Sequence, residues 1–508
     1  MMARLTKFFS RPLIQFLIVV SFAGLGMFAK LNDSELQPLG SAVHAAVSRE
    51  ILRTGDWLTL HWPHCDEFSD FYQFPPLFFW GQAITFKIFG INDITAKLTS
   101  SFFGFLTIVL TYLLGKILLD EFGGFLAAMT IILTPYFFRH SRKCELETIL
   151  IFFITLGFFF FILSEKKNNP RWLLLTGLAV GLGLLTKGPP ALAVWASIFV
   201  YYLLSQQSAK ILNKYFWLGI SLTIAIALGW IIPQIIFKGD ALYQKYFINQ
   251  IWWSIQGRSV QRNFWQQIFN YLFFFGAFFT YYLPWSITGI FGIIKIIKEK
   301  ISQYYPVLCW VAVVWVGFTL AGYKDDYYLL AFWPGWATIN ALIWRHWLAH
   351  QEETLSVILA ILTIIFTLLV FFTPIKLDRI RNPEFRTLGP VINSLTPPEE
   401  KIITYKLFYY DMAALLAWYA DRGVESSRLP NPKVPATARA WKEHSIDTPE
   451  ELVTIIQKFP KKFLLIKKED YQQLPRNLQK TIFPLVSEGR FLLAITQAIP
   501  DSHPDHKK

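Results

Sequence analysis

The ionisable side chains of this chain gather in a few short polar stretches, and their types suit chemistry on a phosphate. Asp33, Glu35, His44 and Glu50 precede "HWPHCDEFSDFYQF", and "FRHSRKCELE" carries Arg139, His140, Arg142, Glu145 and Glu147. Lys187 follows in "LLTKGPPA"; Lys238, Lys245, Arg258 and Arg262 fall between 238 and 265; Lys324, Asp325 and Asp326 lie in "AGYKDDYYLLAFWP". Cations around a few acids would hold a phosphate and stabilise it as a leaving group, while a carboxylate takes the proton of an attacking hydroxyl or amine. For any single Lys or Arg, the competing role is contact with lipid headgroups by snorkelling. Lys187 is poorly placed to snorkel, because a glycine and two prolines follow it at the end of an apolar run.

Those stretches are separated by membrane-length segments. The 508 residues are 54% hydrophobic, 17% aromatic and 16% charged, with a mean hydropathy of +0.37, outside the soluble globular range. Apolar runs of about 18 or more residues recur, each long enough to cross ~30 Å of hydrocarbon. The run from Pro12 to Lys30 has no small-residue cleavage site and reads as a retained span, with Arg4, Lys7 and Arg11 cytoplasmic. Further spans are expected near 96–118, 122–138, 146–164, 171–186, 190–204, 214–233, 279–296, 304–321, 327–344 and 354–373, giving about 11–13 transmembrane helices. The connectors "SEKKNNPRW", "QQSAKILNK", "KIIKEK" and "WRHW" then share the side of the N-terminus, as the positive-inside rule requires.

Segment 74–90, "FPPLFFWGQAITFKIFG", is short, opens with two prolines and carries Gln82 and Lys87, so it is expected at the interface. That leaves 31–95 as a first external loop with interfacial helices, and 238–278 as a later one. Residues 1–375 form the expected membrane domain. From Lys376 the hydropathy collapses: "EEKIITYKL" and "KKFLLIKKEDY" read as strands, "DMAALLAWYADR" and "TPEELVTIIQKF" as amphipathic helices. Residues 376–508 are therefore expected to be a soluble extracytoplasmic α/β domain.

Several classes are excluded or disfavoured. The net charge of +13 is dispersed, with no basic block or module for nucleic acid, and points to anionic membrane lipids. Cys65, Cys144 and Cys309 give no disulfide framework, although a Cys65–Cys144 bridge would join two external loops. His61, His64 and Cys65 with Asp66 and Glu67 match no standard zinc set and are expected to be structural.

In order and spacing, "SREILRTGDW", "FPPLFFW", "INDITAKLTSSFFGFLTIVLTYLLGKIL", "SRKCELETILIFF", "LAVGLGLLTKGPP", "GWIIP", "YYLPWS" and "KDDYYLLAFWP" resemble the GT-C superfamily of polyprenyl-phosphate-sugar glycosyltransferases. The similarity is to the branch of bacterial aminoarabinose (lipid A) transferases and protein O-mannosyltransferases. It implies a GT-C fold in a multi-pass inner-membrane protein with a cytoplasmic N-terminus. It also implies an inverting transfer from a polyprenyl-phosphate-linked sugar to a lipid, glycan or protein acceptor at the extracytoplasmic face. The resemblance makes the segment around Arg49-Glu50 a surface helix that shapes the substrate grooves. The family's Asp-Glu pair falls on Gly40-Ser41 and its lysine before the double proline on Phe74, so this chain departs at both places. The second family acid falls on Glu147. The expected catalytic carboxylates are accordingly Glu147 with Asp33 or Glu35, and the expected substrate contacts are Lys187, Arg258, Arg262, Lys324, Arg142 and His44, with His44 an alternative base. No cofactor is required; a divalent cation is left open. The other readings are a non-catalytic homologue that binds polyprenyl lipid, and a transporter or flippase, which would place ionisable residues at mid-bilayer.

Overall fold

The computed structural model describes residues 8–9, 11–65, 69–256, 264–348, 350–373, 377–378, 380–425 and 446–497. The chain divides into two compact units, Met1–Asp33 with Tyr72–Asp378, and Ser34–Phe71 with Arg379–Lys508.

The first unit is helical. Among the described residues, six helices can cross a membrane by length and composition, and up to eight if each of two bent pairs is one span. Three shorter apolar helices, Leu77–Phe89, Trp172–Lys187 and Pro189–Leu204, accompany them. The bends coincide with prolines. Glu121–Ile132 and Pro135–Ser141 meet at 71°, and Ile268–Tyr281 meets Trp285–Lys298 at 108°, with Pro135 and Pro284 beginning the new direction, since a proline ring cannot continue the preceding helix. Helix Asp93–Leu118 starts in a capping box in which Asn92 and Thr95 satisfy each other's backbone N–H. Small residues let helices close up. A Cβ on Gly177 would lie 2.2 Å from the Gly219 carbonyl oxygen, so those two backbones touch as packing in an apolar medium favours. The region expected as a loop over 238–278 is instead largely helical, with a π-helical turn at Tyr243–Trp252 and an α-helix at Phe264–Tyr281. Its aromatic residues supply the apolar surface that the charges on either side had masked in a hydropathy reading.

The second unit carries a five-stranded sheet, β1 (Lys401–Thr404), β2 (Gly423–Val424), β3 (Phe463–Lys467), β4 (Ile482–Glu488) and β5 (Phe491–Thr496), in the order β2-β1-β3-β5-β4. Strands β1, β2 and β3 are parallel, and β4 and β5 form an antiparallel hairpin against β3. The strands and helices expected within 399–422 and 448–471 are present, with helices at Tyr409–Tyr419 and Pro449–Lys458. The hairpin went unread because Pro484 and a register shift beside it break the alternation of β4.

Residues 34–71 belong to this unit rather than to the membrane domain expected over 1–375, and named bonds explain why. Arg49 donates to the carbonyls of Ala417 and Trp418 at 2.8 and 3.2 Å and to Asp421 at 2.7 Å. A cation is thus set on the carbonyl end of helix Tyr409–Tyr419, where the helix dipole favours it. His64 Nε2 reaches the same Asp421 oxygen at 3.0 Å. Leu36 N–H donates to Tyr419 Oη, and Arg386 to the Ser34 carbonyl. Helix Val43–Thr54 ends where Gly55 takes φ 74, a conformation that costs glycine little. Its Glu50 is engaged by Arg53 of the next turn at 2.6 Å. The segment around Arg49 and Glu50 is therefore a fastening for the C-terminal fold.

Candidate active site

Within the first unit the expected residues Glu147 and Lys187 meet. Glu147 opens helix Glu147–Lys166, where the N-terminal dipole favours a carboxylate. Lys187 is the last residue of helix Trp172–Lys187. That helix must stop there, because Gly188 takes φ 88 and two prolines follow. The glycine is also required by contact: a Cβ on it would sit 2.2 Å from Tyr246 Oη. The turn aims Lys187 Nζ at Glu147 Oε1, 2.5 Å away, with both side chains 11% exposed. The other oxygen, Glu147 Oε2, is buried with no hydrogen-bond partner among the described residues.

Three rings surround the ammonium. Its nitrogen lies 4.8 Å from the ring centre of Tyr327, 5.3 Å from Tyr328 and 5.9 Å from Phe74, distances at which ring faces attract a cation. Tyr327 is oriented by donating to Asp325 at 2.9 Å, and burial pushes the Asp325 carboxyl up while Tyr327 and Lys187 pull it down. Glu147, Lys187 and these rings line a cavity of about 430 Å³ whose other walls are mostly apolar, among them Leu150, Ile151, Val313 and Phe318. One polar end on an apolar slot fits an amphipathic ligand with an anionic head.

The other expected residues divide. Asp33 lies in a single turn after the first helix, Leu31–Asp33, and does not line this cavity. Arg142 was expected on substrate, but it is fully buried, donating to the Gly26 and Met27 carbonyls and to both oxygens of Asp378. With its fork spent on those acceptors it holds the unit together instead. Lys324 likewise donates to the carbonyls of Phe318, Thr319 and Ala321, at the carbonyl end of helix Tyr305–Leu320. Glu35 and His44 fall in the second unit. There Glu35 accepts the backbone N–H groups of Arg381 and Asn382, and His44 is buried. Arg258 and Arg262 lie outside the described residues, as do Asp66 and Glu67. His61 is placed between Asp56 and Asp70, and no group of three or more metal-ligating residues occurs among the described residues. Among the described residues none of Cys65, Cys144 and Cys309 is in a disulfide, and the Cys144 sulfur accepts from Gln82. Position 40, where the family pattern has an acid, takes φ 88, which favours glycine.

Sequence reasoning missed Tyr246, Tyr327 and Tyr328, and counted Phe74 only as a lost lysine. Their signal was the tyrosine pair beside the acids in "KDDYYLL", where attention went to the charges.

A family profile described as dolichyl-phosphate-mannose-protein mannosyltransferase matches residues 73–236. The crystal structure of ArnT from Cupriavidus metallidurans in the apo state superposes with a TM-score of 0.70 at 14% identity, covering 94% of this chain and 97% of that one. The chain has the GT-C fold. A second GT-C neighbour, the oligosaccharyltransferase AglB from Archaeoglobus fulgidus, matches with a TM-score of 0.57 at 13% identity over 90% of this chain and 69% of that one. Among sequence relatives, the undecaprenyl phosphate-alpha-4-amino-4-deoxy-L-arabinose arabinosyl transferase of Pectobacterium carotovorum is 26% identical over 65% of this chain and 58% of its own length. An uncharacterized protein of Aquifex aeolicus is 24% identical over 64% of this chain and 63% of its own. The chain thus spans less than two thirds of these relatives. The six described helices long and apolar enough to cross a membrane accord with that fold, and the profile match includes Phe74, Glu147 and Lys187.

Proposed function

We propose that this protein moves a sugar from a polyprenyl-phosphate donor to a lipid, glycan or protein acceptor at the extracytoplasmic face, inverting the anomeric carbon. The observation that carries this reading is the buried Glu147–Lys187 pair at the polar end of an apolar cavity. The prenyl chain would fill the apolar slot, and Lys187 would take the phosphate. The structure of ArnT from Cupriavidus metallidurans bound to undecaprenyl phosphate supports a ligand of this class.

The pair has to open for chemistry. In an in-line displacement the base and the phosphate clamp stand on opposite sides of the reacting carbon, about 9 Å apart when two hydrogen bonds and the attacking and leaving bonds are summed. Glu147 Oε1 and Lys187 Nζ are 2.5 Å apart. Donor phosphate would draw Lys187 off Glu147, freeing the carboxylate to accept the acceptor's proton.

The test supplies purified protein in nanodiscs with several polyprenyl-phosphate sugars and measures release of polyprenyl phosphate. Release should fall by about 100-fold or more in Glu147→Gln. Release unchanged by that substitution would remove Glu147 from the chemistry. Saturable binding of polyprenyl phosphate without release from any donor would instead identify a lipid-binding homologue, the reading favoured by Gly40-Ser41.

A further inference from the structure

The second unit contains a cavity of about 380 Å³ lined by Pro38, Ile380, Arg381, Asn382, Asp411 and Arg490. One wall is rigidly built. Glu35 Oε1 accepts the N–H groups of Arg381 and Asn382 at 2.6 and 2.8 Å. Arg490 donates to the Arg381 carbonyl at 2.8 Å and to Asn382 Oδ1 at 2.5 Å. These bonds fix the backbone of 381–382 and orient the Asn382 amide, whose NH2 is thereby left to donate elsewhere. The Arg381 guanidinium has no hydrogen-bond partner among the described residues, and neither has the Asp411 carboxylate.

Asp411 stands in the first turn of helix Tyr409–Tyr419 and is half-buried. Burial pushes its carboxyl up to about 6, although Arg381 pulls the other way. A half-buried carboxylate that accepts no hydrogen bond among the described residues is costly, and it lines the same open space as the Arg381 guanidinium. A bare anion would leave Asp411 unsatisfied and be repelled by it. A cation would leave the Arg381 guanidinium unsatisfied, while Arg490 already has Asn382 and Glu384. A ligand with both an anionic group and hydroxyl donors satisfies the whole lining, because guanidinium binds phosphate through paired N–H groups and carboxylate accepts hydroxyl protons.

We propose that this cavity is a binding subsite for a phosphorylated sugar, its phosphate on Arg381 and Arg490 and its ring hydroxyls donating to Asp411. The subsite is independent of the Glu147 cavity and of the transfer proposed there. The ligand could arrive free or as the headgroup of a lipid.

Full-length protein in nanodiscs titrated calorimetrically with glucose 1-phosphate tests this, with glucose and inorganic phosphate alongside. Glucose 1-phosphate should bind saturably, with glucose and inorganic phosphate each at least about tenfold weaker. Arg381→Gln and Asp411→Asn should each weaken it by about tenfold or more with no loss of thermal stability, and Lys187→Ala should leave it intact. Nanodiscs doped with phosphatidylinositol 4-phosphate that compete with the soluble sugar phosphate would mark the lipid headgroup as the source, and absence of competition the free form. No binding in either presentation, binding no better than inorganic phosphate, binding indifferent to Arg381→Gln, or binding lost in Lys187→Ala would each overturn the subsite.

Discussion

Lys187 Nζ lies 2.5 Å from Glu147 Oε1, and each side chain is only 11% exposed. The two residues are forty positions apart and come from the start of one helix and the end of another, so the pair exists only because those helices pack side by side. There an expected acid and an expected phosphate contact meet over a cavity.

Removing one partner should cost more than removing both. Lys187→Met leaves a buried, uncompensated carboxylate, and a loss of about 3–5 kcal/mol in unfolding free energy is expected. Lys187→Met combined with Glu147→Leu should recover most of that loss while remaining inactive. Thermal unfolding of the three variants in one detergent, with polyprenyl phosphate release beside it, separates the structural role of the pair from its role in turnover.

Gly188 should not tolerate a side chain. Gly188→Ala would place a methyl 2.2 Å from Tyr246 Oη at a backbone φ of +88. The turn that aims Lys187 would have to shift, and even an ångström of misplacement can cost about 100-fold in rate. Adding Tyr246→Phe removes the clash but not the dihedral strain of about 1–3 kcal/mol. Activity should therefore return in part, and full rescue by Tyr246→Phe would show that the dihedral does not matter.

The rings around Lys187 should set its hold on anions. Tyr327→Leu removes the ring centred 4.8 Å from Nζ, and a loss of about 1–2 kcal/mol in the free energy that positions the ammonium is expected. Tyr327→Phe keeps the ring face and loses only the bond to Asp325. Polyprenyl-phosphate affinity should drop clearly in the first variant and little in the second; equal losses would credit the hydroxyl instead.

The fastening of 34–71 should weaken in acid. The hydrogen bond from His64, then the charges of Arg49 and Arg53, hold the Asp421 carboxyl down at about 2 against its burial. A depressed folded-state value means the stabilisation is present above the unfolded value of 3.8 and is lost as pH falls towards 2. Because Asp421 is 40% exposed, solvent screening limits the effect to about 1 kcal/mol. Hydrogen exchange at the end of helix Tyr409–Tyr419 should accelerate between pH 4 and pH 2 in wild type, and Asp421→Asn should remove that pH dependence.

Asp411 carries the opposite sign. Its carboxyl is raised to about 6 by burial, so its favourable contribution is complete below 3.8 and is lost as pH rises through 6. Asp411→Asn should stabilise the second unit by about 1–2 kcal/mol at neutral pH and be close to neutral at pH 4. Equal stability of wild type and variant at pH 7.5 would mean that water already solvates the carboxylate.

Much of this protein was legible in its sequence because lipid imposes a strict rule. A segment that crosses hydrocarbon must be helical and apolar for about 20 residues, so helices such as Asp93–Leu118 and Glu352–Phe372 follow from composition alone. The alternating flanks of β1 and β3 carried the same kind of local signal. Phe264–Tyr281 escaped because the charges that precede it, Arg258 and Arg262, lowered the hydropathy of the segment.

Types of residue at the surface of the spans were also readable, and with them the expectation of chemistry on a phosphate. What each charge does was not readable, because a guanidinium or ammonium is claimed by whichever acceptors the fold brings within about 3 Å. Arg142 and Lys324 look in sequence like Lys187, yet packing gives them backbone carbonyls and, for Arg142, Asp378, while Lys187 receives Glu147, three rings and an open cavity. Sequence determined that charged groups would be rare and costly in this chain; only the packing of distant helices decided which of them remained available to a ligand.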